Sequence, residues 1–173
     1  MAGSVTRLEA ARATALAFLD EAYDGVSTPP GKGLEHARAV ADVLRENGYD
    51  DTLQLVGLLH DVVEDTDRDG DDVRAAFGDD AAGMVMALTE DATIRQYARR
   101  KRALREQIDA AGSPVVDVAL ADKIAILRYA RTSGRRPAKR KLGHYRATLA
   151  LATAMDHPPR LRAELEGLLA AYQ

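Results

Sequence analysis

Histidine and aspartate side chains occur in this sequence at positions where helices would point them inward. His36, the adjacent pair His60-Asp61 and Asp122 lie in three separate segments with helical periodicity. His36, His60 and Asp122 each share a helix face with apolar residues at spacings of three, four or seven. A charged group on an apolar face is costly unless it is paired or binds an ion. Together these four residues predict a site for a divalent cation.

Asp122 is the clearest of these cases. Val115, Val118, Ile126 and Tyr129 lie four or seven residues away and so fall on its face of the helix. A single buried aspartate usually pairs with an arginine or caps a helix, and a single inward histidine is usually a hydrogen-bonded core residue. The metal interpretation therefore depends on all four residues together.

The run from His60 to Asp65 adds two carboxylates. A spacing of four places Glu64 one turn after His60, and Asp65 one turn after Asp61. Such crowded acids repel one another unless a cation lies between them, although an acidic run can also be a solvated loop. Two neutral imidazoles with two carboxylates suit Mn²⁺, Fe²⁺ or Zn²⁺ better than Ca²⁺. The donor set leaves manganese, iron and zinc open as the metal.

Composition limits the class of protein. The chain has 173 residues, of which 46% are hydrophobic and 29% are charged, and this fits one globular domain. It contains no cysteine, which excludes disulfides and thiolate zinc sites, and its net charge of −3 disfavours general nucleic-acid binding. No apolar run is long enough to cross a membrane. We expect a cytoplasmic protein.

The elements that would position these side chains are helices. Strong helix formers dominate, and strand-like alternation is nearly absent. The sequence therefore predicts an all-α, single-domain helical bundle over residues 1–173, with the motifs in about residues 5–155. Caps and breakers predict helices near 6–23, 34–47, 51–64, 69–77, 79–88, 93–110, 114–130, 140–155 and 159–172.

The order of these motifs resembles a known family. The pattern formed by His36, His60-Asp61 and Asp122 is similar to that of the HD superfamily of metal-dependent phosphohydrolases. The string LLHDVVEDT, residues 58–66, resembles more closely the hydrolase domain of RelA/SpoT proteins and the small stand-alone ppGpp hydrolases. Further similar segments follow in order at Asp72-Val73, Phe77-Gly78, 88–91, 99–101, 120–123, Leu127-Arg128 and His144-Tyr145.

The resemblance implies a helical HD-type fold and hydrolysis of a 3′-pyrophosphate from a guanosine nucleotide with manganese. It implies that the metal ligands are His36, His60, Asp61 and Asp122. It also implies that Glu64 and Asp65 act on the attacking water as catalytic residues. We expect substrate phosphates and the base to contact basic and aromatic residues, namely Lys32, Lys101, Arg128, Lys141 and Tyr145.

The sequence departs from the family around the expected nucleotide pocket. Only one basic residue, Lys32, precedes His36 where the family usually has an Arg-Lys pair. Ile126 stands where the family places an asparagine after the metal aspartate. The substrate could therefore be ppGpp, another nucleotide or a phosphorylated metabolite.

Two other classes of function remain open. A nucleotide-sensing HD module would bind without hydrolysis, but the retained Glu64 and Asp65 favour an enzyme. The basic segment 131–141 could contact nucleic acid, which the acidic overall balance disfavours. The two remaining histidines, His144 and His157, are expected at the surface. The sequence leaves the oligomeric state open.

Overall fold

The computed structural model describes residues 2–155 and 159–172, so His157 lies outside the described residues. Their regular secondary structure is helical throughout, which confirms the all-α prediction. None of these helices combines the length and the apolar character needed to cross a bilayer. The helices are α1 (Ala2–Ala22), α2 (Leu34–Glu46), α3 (Asp51–Leu59), α4 (Val62–Asp65), α5 (Gly70–Phe77), α6 (Asp79–Leu88), α7 (Tyr97–Ala111), α8 (Ser113–Thr132), α9 (Lys139–Ala154) and α10 (Pro159–Ala170).

Contacts along the chain divide it into two compact units, one ending at Thr89 and one beginning at Glu90. The first contains α1 to α6, and the second contains α7 to α10. A single domain over residues 1–173 stays a prediction of the sequence.

In the first unit, α3 is the helix that the others surround. It packs against α1, α2 and α6 and buries Val56 and Leu59. Gly57 lets α2 approach closely, because a Cβ there would lie 2.8 Å from Leu44 Cδ1. Helices α2 and α3 thus pack in close contact. One predicted metal ligand, His36, lies on α2, and another, His60, directly follows α3.

In the second unit, α8 is the central helix. It packs against α7, α9 and α10 and is buried along most of its length. Leu120, Ile124 and Leu127 are fully buried. Three polar residues of the same helix are also buried, with less than a tenth of their surface exposed: Asp117, Asp122 and Lys123. A helix covered from several sides has no polar face. Its charged residues must therefore find partners inside the protein.

An ion-pair cluster lies at the start of the second unit. Glu90 accepts hydrogen bonds from Arg100 and Lys101 of α7, and its side chain is only 14% exposed. Burial raises the pKa of Glu90, but the hydrogen bonds and charges of Lys101 and Arg100 outweigh it and hold this pKa below its ordinary value. Glu90 therefore joins the segment after α6 to α7.

We expect Glu90→Gln to lower the free energy of unfolding at pH 7 by about 2 kcal/mol, since it leaves two half-buried cations without this carboxylate. Glu106→Gln is the control, because Glu106 makes an exposed i, i+4 ion pair with Arg102 on the same helix. The folded-state pKa of Glu90 is depressed, so its contribution is complete above the unfolded pKa of about 4.3 and is lost as the pH falls through the lower folded-state pKa. Urea unfolding at pH 7 and at successively lower pH measures both effects. A difference between Glu90→Gln and the wild type that does not shrink at all as the pH falls would contradict the assignment.

Candidate metal centre

The His60-Asp61 pair lies at a break between two helices. The prediction of one continuous helix over residues 51–64 is wrong here, because α3 ends at Leu59 and α4 begins at Val62. His60 Nδ1 lies 2.8 Å from the carbonyl oxygen of Gly57, the acceptor that the Asp61 N–H would use in a continued helix. The imidazole thus competes with the backbone, and the chain turns.

That hydrogen bond also defines the state of the imidazole. A carbonyl oxygen only accepts, so Nδ1 carries a proton and a neutral His60 has its lone pair on Nε2. This Nε2 lies 3.2 Å from Asp61 Oδ1. A lone pair facing a carboxylate oxygen is repulsive unless a proton or a cation is shared between them. His60 is 3% exposed, so bulk water does not screen the contact.

His36 supplies a second imidazole from the first turn of α2. It is 4% exposed, and its Nε2 lies 3.8 Å from the other carboxylate oxygen of Asp61, Oδ2. The rings of His36 and His60 meet edge to face, with 5.2 Å between centroids. Asp61 therefore presents one oxygen to each imidazole. The predicted burial of both histidines is confirmed.

Lys32 reaches the same carboxylate from the loop before α2. Its Nζ donates to Asp61 Oδ2 over 2.9 Å. The loop is held by a turn in which the Lys32 N–H donates to the Pro29 carbonyl, and by Gly33 at φ 70°. A Cβ at Gly33 would lie 2.6 Å from Thr28 Oγ1, so this position needs glycine. Tyr23, Lys32 and the loop between them line a cavity of about 510 Å³.

The two predicted catalytic acids lie on α4. Asp65 is half-buried and accepts a hydrogen bond from Tyr23 Oη at 3.4 Å, whereas Glu64 is exposed. Burial, and then the charge of Asp61, raise the pKa of Asp65. Burial, followed by the charges of Asp65 and Asp61, raises the pKa of the Tyr23 phenol, which therefore stays protonated and donates. Tyr23 fixes the direction of the Asp65 carboxylate.

Asp122 lies in the middle of α8, in the second unit. It is 9% exposed, and its carboxylate accepts a hydrogen bond from the neighbouring Lys123, which is 6% exposed. The sequence correctly predicted an inward carboxylate here. His36, His60 and Asp122 are all buried residues that could hold a metal ion.

The donor set of the first unit fits such an ion. It offers two imidazole nitrogens and a carboxylate, and the backbone bond of His60 is of the kind that fixes the tautomer of a metal-binding histidine. A cation would relieve the contact between the His60 lone pair and Asp61. The residues present therefore suit a divalent transition metal.

The predicted substrate residues lie in different surroundings. Lys32 contacts Asp61 in the first unit. In the second unit, Lys101 pairs with Glu90, and Arg128 Nε donates to Glu164 over 2.6 Å. Lys141 is exposed, and Tyr145 is buried with Lys123 Nζ 5.9 Å from its ring centroid.

Sequence reasoning gave no role to three side chains near these groups, Tyr23, Lys123 and Arg105, and it misplaced His144. Tyr23 is 42 residues from Asp65, and Lys123 is adjacent to Asp122, a spacing that does not indicate a shared helix face. The prediction that His144 lies at the surface is wrong. It is 5% exposed, and Arg105 hydrogen-bonds its ring. His144 shares its face of α9 with Thr148 and Ala152, which are also buried. Because these residues are small and one is polar, the sequence carries no strong sign that this face is buried.

A family model for the HD domain matches residues 15–150. This match spans most of the chain and includes all six residues predicted to bind metal or act on water.

Curated relatives align over parts of the chain. Guanosine-3′,5′-bis(diphosphate) 3′-pyrophosphohydrolase MESH1 of Drosophila melanogaster is 38% identical over 46% of this chain and 44% of its own length. The Homo sapiens MESH1 is also 38% identical, over 55% of this chain and 54% of its own length. A GTP pyrophosphokinase of Streptomyces coelicolor is 32% identical over 72% of this chain but 15% of its own length. The chain thus spans about half or less of the length of these relatives.

Solved structures share the fold. One, described as a metazoan ortholog of SpoT that hydrolyzes ppGpp, superposes with a TM-score of 0.76 at 23% identity and covers 91% of this chain and 93% of its own. Another, lmo0812 from Listeria monocytogenes, superposes with a TM-score of 0.68 at 25% identity. The superposition covers 85% of this chain and 97% of that one.

Proposed function

The chain belongs to the HD domain family, and from that premise we propose that it is a metal-dependent phosphohydrolase that acts on a nucleotide, with ppGpp as the first candidate. The observation that carries the proposal is the contact between His60 Nε2 and the Asp61 carboxylate. His60 Nδ1–H already donates to the Gly57 carbonyl, so Nε2 of the neutral ring carries a lone pair. A positive charge between this lone pair and the Asp61 carboxylate would remove their repulsion. The resemblance adds His36 and Asp122, so the residues proposed to hold this ion would be His36, His60, Asp61 and Asp122.

In this proposal each residue has a defined task. A divalent ion held by these residues would supply a water of lowered pKa and positive charge to offset that of the phosphate. Glu64 and Asp65 orient the attacking water and move its proton, and the Tyr23 hydroxyl keeps the Asp65 carboxylate turned correctly. Lys32 donates to a charged oxygen at the edge of the site, as it does to Asp61. Tyr145 contacts the base or ribose.

The relatives support a guanosine substrate, because the MESH1 proteins are named as 3′-pyrophosphohydrolases of guanosine bis(diphosphate). The single basic residue Lys32 and the apolar Ile126 support another nucleotide as the alternative, since both lie where the expected pocket departs from the family. We propose manganese as the metal, with iron or zinc as alternatives. A cytoplasmic location is proposed from the sequence only.

A panel of nucleotides assayed for phosphate and pyrophosphate release with manganese tests the function. We expect pyrophosphate release from ppGpp, and no release after metal is removed with a chelator. If phosphate or pyrophosphate is released only from a different nucleotide, the protein is a phosphohydrolase but ppGpp is not its substrate. Binding of nucleotides by metal-loaded protein without any release over hours would identify a sensing module instead and end the proposal.

Lys32 gives a prediction for substrate binding. We expect Lys32→Met to raise KM about tenfold or more with an unchanged metal content, because it removes a charge-assisted donor to phosphate. Lys32→Arg is the matched control, since it keeps the charge, and its KM should stay closer to that of the wild type. Steady-state kinetics with metal analysis measures both. An unchanged KM in Lys32→Met would remove Lys32 from the substrate site.

A further inference from the structure

His144 is a buried histidine that the proposed reaction does not use. It lies on α9 and is 5% exposed. Its Nδ1 lies 2.9 Å from Arg105 Nη1. A guanidinium only donates, so Nδ1 must accept, and the ring proton of a neutral His144 is on Nε2. Among the described residues, this buried Nε2 has no hydrogen-bond partner.

Such a donor is expensive to leave without an acceptor. A buried N–H normally donates a hydrogen bond, because nothing else compensates the free energy that it loses when it leaves water. The missing acceptor is not a metal, because Nε2 carries the proton and cannot coordinate one. The ring therefore calls for a ligand with an oxygen that accepts a hydrogen bond.

The charges around the ring define that ligand further. Burial, and then the positive charges of Lys123, Lys101 and Arg105, lower the pKa of His144 to about 2. The imidazole therefore stays neutral and keeps a single proton over the physiological pH range. Three cations act on it, against the carboxylate of Asp122. A positive field with a fixed N–H donor suits an anionic oxygen.

Side chains from three packed helices surround the His144 ring. His144 and Tyr145 have ring centroids 5.9 Å apart, and Lys123 Nζ lies 5.9 Å from the centroid of Tyr145. Arg105 and Lys101 extend from α7, whereas Lys123 comes from α8. Helices α7, α8 and α9 pack against one another and so hold these donors in place. Arg105, which contacts the ring, and Lys101 are both half-buried.

We propose that His144 Nε2–H, together with Arg105 and Lys123, binds an oxygen of a phosphate group in the second unit. The group belongs either to the substrate, as a phosphate that is not hydrolysed, or to free pyrophosphate. In the first case this inference rests on the proposed function, and in the second it does not. His144 is thus a binding residue for phosphate in either case.

Pyrophosphate binding to the full chain, measured by calorimetry, tests this site. We expect His144→Phe, which fills the space without a donor, to weaken binding about tenfold or more. His144→Gln is the matched control: its amide can accept from Arg105 and donate from its nitrogen, so its affinity should stay near that of the wild type. Equal affinity of His144→Phe and the wild type would overturn the proposal.

A measurement on the unaltered protein keeps the test valid if His144→Phe does not fold. In nitrogen-15 histidine spectra of the metal-free full chain, we expect pyrophosphate to shift the Nε2 signal of His144. An unmoved signal at saturating pyrophosphate would overturn the proposal. A shift in a protein that hydrolyses no nucleotide would keep this site and reject only the proposed function.

Kinetics distinguishes the two sources of the phosphate. If it belongs to the substrate, His144→Phe raises KM by the same factor by which it weakens pyrophosphate binding. If the site takes free pyrophosphate, KM is unchanged and inhibition by pyrophosphate is lost. Either result supports the site. Unchanged KM together with unchanged inhibition would refute it.

Discussion

The Asp61→Asn protein is expected to lose its divalent metal and, with it, hydrolysis of every nucleotide. Asp61 presents one carboxylate oxygen to each of His36 and His60, at 3.8 and 3.2 Å. The amide of asparagine has no charge and offers only one oxygen, so it cannot replace both contacts. We expect metal affinity to fall by about a hundredfold or more, since changes to residues that only support metal ligands already cost about 10- to 100-fold. Metal analysis of purified protein and pyrophosphate release measure the two losses.

Asp67→Asn is the matched control for this change. Asp67 is an exposed acid in the loop after α4, so the same chemical substitution there leaves metal content and rate near wild type. The alternative role of Asp61 is to pair with Lys32. If that were its whole role, Asp61→Asn would lower stability but retain metal and activity, and this outcome would reject the metal assignment.

The second large effect is expected from Asp65→Asn. Its carboxylate is held by Tyr23, and Asp65 lies one helical turn beyond Asp61. Asparagine keeps the shape but cannot take a proton from water. We therefore expect kcat to fall by about 10²- to 10⁴-fold, with little change in KM or metal content. This combination separates Asp65 from Asp61, whose loss also removes the metal.

Tyr23→Phe serves as the graded comparison for Asp65. It removes the hydroxyl that donates to Asp65 Oδ2 but leaves the carboxylate in place. A smaller fall in kcat than that of Asp65→Asn is expected, because orientation is lost while proton transfer is retained. Full activity of Asp65→Asn at normal metal content would show that Asp65 takes no part in the reaction.

Local signals allowed much of the helical structure to be predicted from the sequence. Helix α2 was expected at residues 34–47 and spans Leu34–Glu46. Asp69 and Gly78 correctly marked the ends of α5, where Asp69 and Asp72 form a capping box. The inward direction of Asp122 followed from its spacing to apolar neighbours. These features depend on residues within a few turns of one another.

The features that could not be predicted depend on contacts between distant residues or on competing hydrogen bonds. The break at His60 arises because its ring takes the Gly57 carbonyl, which helix propensity does not report. Tyr23 contacts Asp65 across 42 residues. His144 looked exposed, yet α7 and α8 cover α9, so its burial comes from tertiary packing.

The central claim is that a divalent cation is the partner of the buried imidazoles and carboxylates. A crystal structure of the manganese-loaded protein, with anomalous diffraction data collected at the manganese edge, tests it most directly. We expect one anomalous peak within about 2.0–2.3 Å of ligand atoms from His36, His60, Asp61 and Asp122. A manganese-loaded crystal that diffracts well and has no anomalous peak among these four side chains would contradict the claim.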